Sequence, residues 1–529
     1  MTMRPPSLFF TRLTLLGGVL VSSACAHPPA GSAKGANAPV VTAPPAATAP
    51  TASPSLDLTY WKGRTDLITA PPPPPPAALP LPDIARWRLP NGLDVLVVPR
   101  QGLPIVNFTL ALKAGAYDEV KDRTQGVAAF TAAMLRHGAG RRSAEQIAST
   151  IDATGGALDA ASGAESTVVT CSALATSTDT CLSLLGDLLL RPTFPAAEMP
   201  EIRDQMLASL GGRDDDPHQL AAEHFDNLLF GEAHPDGWVL MPAHVKAITR
   251  DQLLAFWKTF YRANNALLTI AGAVDPVAIK ARIARTFGSW VTGAIPARPP
   301  FEIPATRGVR VMLVDKPELS QATLMFGNPG LRHGDPDWYA ATLVNYVLGG
   351  SDFSSRLMIE VRSKRGLTYG IGSSFGATLY QGAFRVSAST RNETTWDALS
   401  VTIDELRKMK ATGPTAEELA KGKGYFAGST PFTLESPAEI ARALANAELH
   451  GLGVDYVKEL ALRLAAVDLK ATAAAAHKWL HPDDLAIAIV GRAAVIAPQL
   501  RKAGLAFERV DAHAPISAAA RKAAGAPPR

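Results

Sequence analysis

The stretch Ile84-Ala-Arg-Trp-Arg-Leu-Pro-Asn-Gly-Leu-Asp-Val-Leu-Val-Val98 holds two strand-like runs separated by Asn91-Gly92. Asn-Gly tolerates the positive φ angles of a tight hairpin, so an antiparallel β-hairpin is predicted where the ordered chain begins. Working outward from it, strands are expected over 105–114 and 166–173, and amphipathic helices over 124–136, 143–154, 177–190, 196–211, 217–229 and 250–261. A buried strand over 267–272 and a helix over 276–287 complete this series. After the proline-rich joint 296–304 the order starts again with Val309-Arg-Val-Met-Leu-Val314 and Gln321-Ala-Thr-Leu-Met-Phe326. A helix over 337–348, strands over 368–373 and 382–389, a helix over 394–410, further helices to Trp479 and a strand over 485–490 follow. Two halves of similar length with one layout imply an internal duplication.

At 529 residues the chain exceeds what one core usually organises, and 47% hydrophobic with 19% charged residues is an ordinary globular balance. A net charge of +4 leaves no basic face that would suggest nucleic acid, particularly as part of the excess lies in the leader and near Arg521 and Arg529. Arg4 and Arg12 precede the apolar run 13–21, then Ser22-Ser23-Ala24 and Cys25, the pattern of an export signal. Small residues directly before a cysteine resemble the bacterial lipobox, which implies lipidation of Cys25; Ser22 stands where leucine is commonest, and an ordinary cleaved signal is the alternative. Residues 26–83, rich in Pro and Ala with six prolines at 71–76, read as a disordered tether. Cys171 and Cys181 are open to two readings, a disulfide in an oxidising compartment or two buried thiols. From Ala514 the sequence is small and basic, and 506–529 is expected to be a flexible tail.

The opening Leu89-Pro-Asn-Gly-Leu93, the region Ala114-Gly-Ala-Tyr-Asp-Glu119, Leu228-Leu-Phe-Gly231 with His234-Pro235, Tyr261-Arg-Ala-Asn-Asn265, Phe287-Gly-Ser-Trp290 and Leu348-Gly-Gly-Ser-Asp-Phe-Ser-Ser-Arg-Leu357 occur in a characteristic order. Together they resemble the insulinase-like M16 peptidase family, in the short two-domain form that includes the mitochondrial processing peptidase and the core proteins of respiratory complex III. The resemblance covers roughly residues 84–500. It implies an α+β fold of two homologous domains, each a mainly antiparallel β-sheet packed by helices, forming half of a clamshell chamber. The implied division is 84–295 for the N-terminal domain, 296–306 for a linker and 307–505 for the C-terminal domain.

Catalytic members of that family carry His-x-x-Glu-His on a helix, two imidazoles one turn apart that hold zinc and a glutamate that serves as base. Aligning Gly126, Phe130, Met134 and Gly138 with the family helix puts Ala129 and Ala133 at the histidine positions and Ala132 at the glutamate. The third-ligand region falls near residues 208–210, which hold no acid, so no metal is expected on this chain. Elsewhere His218, Glu223 and His224 share a helix, but histidines six residues apart lie about 120° apart around it, a poor ligand geometry. His137 beside Gly138 reads as a helix-end residue, no Gly-x-Ser-x-Gly elbow occurs, and Gly422–Gly428 follows no strand as a dinucleotide loop would.

In the second half, Glu360-Val-Arg362-Ser-Lys-Arg365-Gly366-Leu-Thr-Tyr369-Gly370 contains an arginine and a tyrosine seven residues apart. Active M16 enzymes use such a pair to reach the zinc site, where a guanidinium and a phenol stabilise the substrate carbonyl and the oxyanion. The resemblance carries that role to Arg362 and Tyr369, with Gly366 as the turn between them. The bland reading is an ion pair for Arg362 and strand-edge packing for Tyr369. An emptied zinc motif with a retained Arg/Tyr pair resembles the non-catalytic subunit of a heterodimeric M16 protease. The expected partners are a catalytic M16 subunit with His-x-x-Glu-His, which would bring the zinc, and peptide substrates; a non-hydrolytic scaffold like the complex III core proteins is the alternative. The expected location is the bacterial envelope, facing the periplasm, with Ala26 after the lipidated cysteine favouring the outer membrane.

Overall fold

The computed structural model describes residues 74–79, 81–305 and 307–517; the leader, Cys25 and most of the tether lie outside the described residues. The first half contributes strands β1 (Ala85–Arg88), β2 (Asp94–Pro99), β3 (Ile105–Leu112), β4 (Ala157–Ser162), β5 (Thr167–Leu174) and β6 (Ala266–Gly272). They form one six-stranded sheet in the order β1-β2-β6-β3-β5-β4. The second half contributes β7 (Arg310–Asp315), β8 (Gln321–Pro329), β9 (Thr368–Phe375), β10 (Ala383–Arg391), β11 (Ala486–Gly491) and β12 (Phe507–Asp511), ordered β9-β10-β8-β11-β7-β12. Each sheet holds a parallel pair, β2 with β6 and β7 with β11, followed by an antiparallel run, β6-β3-β5-β4 in the first and β11-β8-β10-β9 in the second. The duplication is therefore one of topology, strand for strand over five positions.

The sixth position differs. In the first sheet β1 fills it through the Asn91-Gly92 hairpin, with Gly92 at φ +87° and the Asn91 amide donating to the carbonyls of Phe287 and Trp290 at 2.6 and 3.1 Å. In the second sheet the corresponding edge is covered by β12, paired parallel to β7. The segment expected as a flexible tail thus carries a strand. Ala512 and Ile516 beyond it are buried, because Val510, Ala512 and Ile516 close over Met312 and Val314. The end of the expected tether is likewise packed: Leu79 is buried and its N–H donates to the Lys458 carbonyl at 2.9 Å.

Strands with apolar residues on both faces need two covers. On one face of the first sheet, Val95, Val97, Phe108, Leu110, Leu268 and Ile270 meet that half's own helices. On the other face, Leu96, Val98, Ala111, Leu267 and Ala271 meet Ile440, Ala441 and Leu444 of helix Pro437–Leu449, which belongs to the second half. The second sheet receives the reciprocal cover. Helix Pro217–Phe230 of the first half lays Leu220 and Ala221 on Met312 and Val314, and fits Phe225, Leu229 and Phe230 against the small residues Ala383, Ala486 and Ala488. Each large side chain so buried stabilises by about 1.5–3 kcal/mol. Ion pairs join the same contacts: Arg86 meets Glu448 at 3.0 and 2.9 Å, and Arg385 meets Asp226 at 2.6 Å.

The joint between the halves is pinned as well. Arg298 makes a two-pronged pair with Asp118 at 2.9 and 2.6 Å, and Phe301 packs on Tyr380 and His234 with centroids 4.9 and 5.6 Å apart. Burial among these rings lowers the pKa of His234. Cys171 on β5 and Cys181 on helix Thr178–Leu190 are bonded as a disulfide with Cα atoms 5.7 Å apart, which decides between the two readings of that pair. No helix among the described residues is long and apolar enough to cross a membrane.

Candidate functional site

Helix Val127–Met134 carries the vacated positions, and its N-terminus is unusually well closed. Gly126 sits at φ +87°, and the Glu119 carboxylate accepts from the N–H groups of Gly126 and Ala128 at 2.9 and 2.7 Å. A carboxylate at the positive end of a helix dipole satisfies donors that the helix itself cannot. Desolvation nevertheless outweighs those two bonds and lifts the Glu119 pKa to about 7. At the other end Gly138, at φ +155°, is obligatory because a Cβ there would meet Thr193 Oγ1 at 2.5 Å.

On this helix Ala129 is exposed, Ala133 is half-buried and Ala132 is fully buried. Ala129 and Ala133 share one face, as residues four apart must. Residues 208–210, expected near the third ligand, lie within helix Met199–Asp215, with Ala208 and Ser209 exposed and Leu210 half-buried. Methyl groups have no donor atoms, and among the described residues no group of three or more His, Cys, Asp or Glu is placed to hold a metal ion. The residues present do not fit a catalytic metal. His218 is exposed and approaches Ser389 Oγ at 3.2 Å, His224 is buried on another face of the same helix, and His137 pairs with Glu198 at 3.0 Å.

Arg362 lies in a wide helical turn, Met358–Ser363, whose i to i−5 character shows in the Lys364 N–H to Ile359 carbonyl bond of 2.9 Å. Gly366, at φ +62°, then reverses the chain, with Gly366 N–H on the Arg362 carbonyl at 2.8 Å and Leu367 N–H on that of Val361 at 3.0 Å. This is the turn expected from the sequence, a Schellman-like closure widened by one residue. Tyr369 follows on β9 at a bulge: Thr368 pairs with Thr390 and Gly370 with Ser389, leaving Tyr369 as the extra residue. The bulge is tied by the Thr368 hydroxyl, which accepts from the Gly370 N–H at 3.0 Å and faces the Ser389 carbonyl at 2.6 Å. Bulges re-aim side chains, and Tyr369 is 86% exposed.

The guanidinium carbon of Arg362 lies 5.4 Å from the Tyr369 ring centroid and 4.7 Å from that of Phe353. Neither an ion pair nor a hydrogen bond engages its N–H groups among the described residues. The nearest acid along the chain, Glu360, is taken by Lys364 at 2.5 Å and by Arg365 at 2.7 Å. Those two cations hold the Glu360 carboxylate below its ordinary pKa. Arg365 is thereby committed, while Arg362 is held by aromatic faces with its donors available. An ion-pairing role for Arg362 is not what the fold builds.

The fold is a duplicated sheet-and-helix chain in which a helix of each half covers the sheet of the other. The family described as "Insulinase (Peptidase family M16)" matches residues 95–241, and that described as "Peptidase M16 inactive domain" matches residues 247–425. An uncharacterized zinc protease of Mycobacterium tuberculosis is 31% identical over 370 residues, covering 69% of this chain and 83% of that protein. One from Streptomyces coelicolor is 28% identical over 401 residues, 74% of this chain and 86% of that protein. The peptidase M16 inactive domain from Pseudomonas fluorescens superposes with a TM-score of 0.72 at 29% identity, covering 78% of this chain and 98% of that one. A protease from Helicobacter pylori reaches the same TM-score at 19% identity and shares the fold. The chain belongs to the M16 peptidase family.

Proposed function

We propose that this chain is the non-catalytic subunit of a heterodimeric M16 metalloendopeptidase, presenting Arg362 and Tyr369 to the active site of a partner that carries His-x-x-Glu-His. The observation that carries this reading is a fixed guanidinium without a counter-ion beside an exposed phenol. Zinc in the partner would supply the activated water. Arg362 and Tyr369 would donate hydrogen bonds to the scissile carbonyl oxygen, bonds that strengthen as it becomes an oxyanion; such preorganised donors are each worth about 10²–10³ in turnover. The alanines of helix Val127–Met134 leave this chain without chemistry of its own, so each chain is half an enzyme. A lipid on Cys25 and the proline-rich tether would hold the body at the outer membrane, facing the periplasm. The Cys171–Cys181 disulfide supports an oxidising compartment.

The test is to tag the C-terminus, solubilise the chain from membranes without denaturing it, and identify what copurifies in equal amount. An M16 chain with the intact motif is the expected result. In that complex Arg362→Ala or Tyr369→Phe should lower peptide turnover about 10²-fold without loss of assembly. Recovery alone, or with an unrelated assembly, would move the assignment to a scaffold; unchanged turnover in both variants would remove the Arg/Tyr role.

A further inference from the structure

The segment Leu348-Gly-Gly-Ser-Asp-Phe-Ser-Ser-Arg-Leu357 has so far served only as a signature. It is fixed on both sides of Phe353. A Cβ on Gly349 would lie 2.5 Å from Ser373 Oγ and 2.7 Å from Ser373 N, so only glycine lets this turn press onto β9. Ser355 is fully buried, its hydroxyl donating to the Asp352 carbonyl at 3.1 Å and accepting from the Met358 N–H at 3.3 Å. Arg356 grips Glu418 with two bonds of 2.7 and 2.6 Å, and that guanidinium lowers the Glu418 pKa to about 2. Between these anchors Phe353 is 68% exposed, and its ring meets the Arg362 guanidinium 4.7 Å from the centroid. An exposed phenylalanine on so constrained a loop contributes little burial, so its contact with the cation is what the loop delivers.

We infer that Phe353 is a positioning residue that, together with Tyr369, clamps the Arg362 guanidinium over aromatic faces so that its N–H donors stay free for substrate; the inference rests on the subunit reading above. An acidic partner would hold Arg362 equally well but would consume those donors and cancel the charge. A ring attracts the cation through its quadrupole and leaves the N–H edge open. Without Phe353, the flexible arginine stem would sample positions away from the substrate oxygen.

The test uses the copurified complex. Phe353→Leu should lower kcat about three- to tenfold with KM changed less than about twofold, and Phe353→Trp should restore it. In an Arg362→Ala background Phe353→Leu should have no further effect. An equal loss in both backgrounds, or a silent Phe353→Leu in the wild-type background, would overturn the clamp. A second measurement needs no partner: in the isolated full chain, ring currents should displace the Arg362 side-chain proton resonances, and Phe353→Leu should return them toward random-coil positions. If Arg362→Ala proves silent in the complex, the role of Arg362 at the partner's site fails while this shift still decides whether the clamp exists; resonances that do not move would refute it.

Discussion

The two halves share five strand positions and part company in everything that could do chemistry. In the first half helix Val127–Met134 presents the methyl groups of Ala129 and Ala133, and the neighbouring segment serves architecture. Within Ala114–Glu119, Tyr117 donates to Asp236 at 2.8 Å, Asp118 receives Arg298, and Glu119 closes the helix end. In the second half a comparable run of signature residues supports a half-buried cation without a counter-ion among the described residues. Strand pairing and sheet covers do not depend on those few side chains, so the two copies can differ in them and keep the same packing. What neither copy can lose is its cover of the other half, since each sheet is finished by a helix from the opposite copy.

The sharpest way to break this comparison is to attack the exchanged helices. Leu444→Ala on one and Phe225→Ala on the other should each cost about 3–5 kcal/mol, measured by urea denaturation. Both should leave a single transition for the whole body; two separate transitions would show that the halves fold independently. Next in size is the disulfide, present in the first half and without a counterpart among the described residues of the second. Its removal by Cys171→Ala with Cys181→Ala should cost about 2–3 kcal/mol, and alkylation of the wild-type cysteines should require reductant together with denaturant.

A smaller effect separates the halves by pH. The Glu119 pKa is raised in the folded state to about 7 from 4.5, so the folded chain holds a proton that the unfolded chain releases earlier. The stabilisation from that proton is complete below about pH 4.5 and is lost as pH rises through about 7. Glu119→Gln, which cannot titrate, should flatten this part of the stability profile measured between pH 4.5 and 8. An unchanged slope would mean that the two backbone N–H bonds keep the carboxyl near its ordinary pKa.

Much of this architecture was legible in the chain itself. Short apolar runs located β2, β3, β6, β7 and β11, Asn91-Gly92 located the first hairpin, and Gly366 marked the reversal between Arg362 and Tyr369. The misses have physical reasons. Strand β4, Ala157-Leu-Asp-Ala-Ala-Ser162, has little intrinsic β preference and is an edge held by pairing with β5. Strand β12 was hidden in a segment that looked like tail, because Phe-Glu-Arg-Val-Asp becomes a strand only where β7 offers an open edge. The expected helix over 337–348 ends as an α-helix at Asn345 and continues as a wide turn through Gly350.

The sequence alone determined the duplication, the alanines at positions 129, 132 and 133, and the Arg362/Tyr369 spacing, because these depend on which residues are present and how far apart they fall along the chain. Only the tertiary structure decided that Cys171 bonds Cys181, that each sheet is covered by the other half's helix, and that Arg362 rests on Phe353 and Tyr369 instead of on an acid. The sheet covers join segments distant in sequence, chosen by which surfaces remain uncovered once the sheets have formed, and the disulfide and the Arg362 contacts join near neighbours whose side-chain directions follow from how the intervening turns pack.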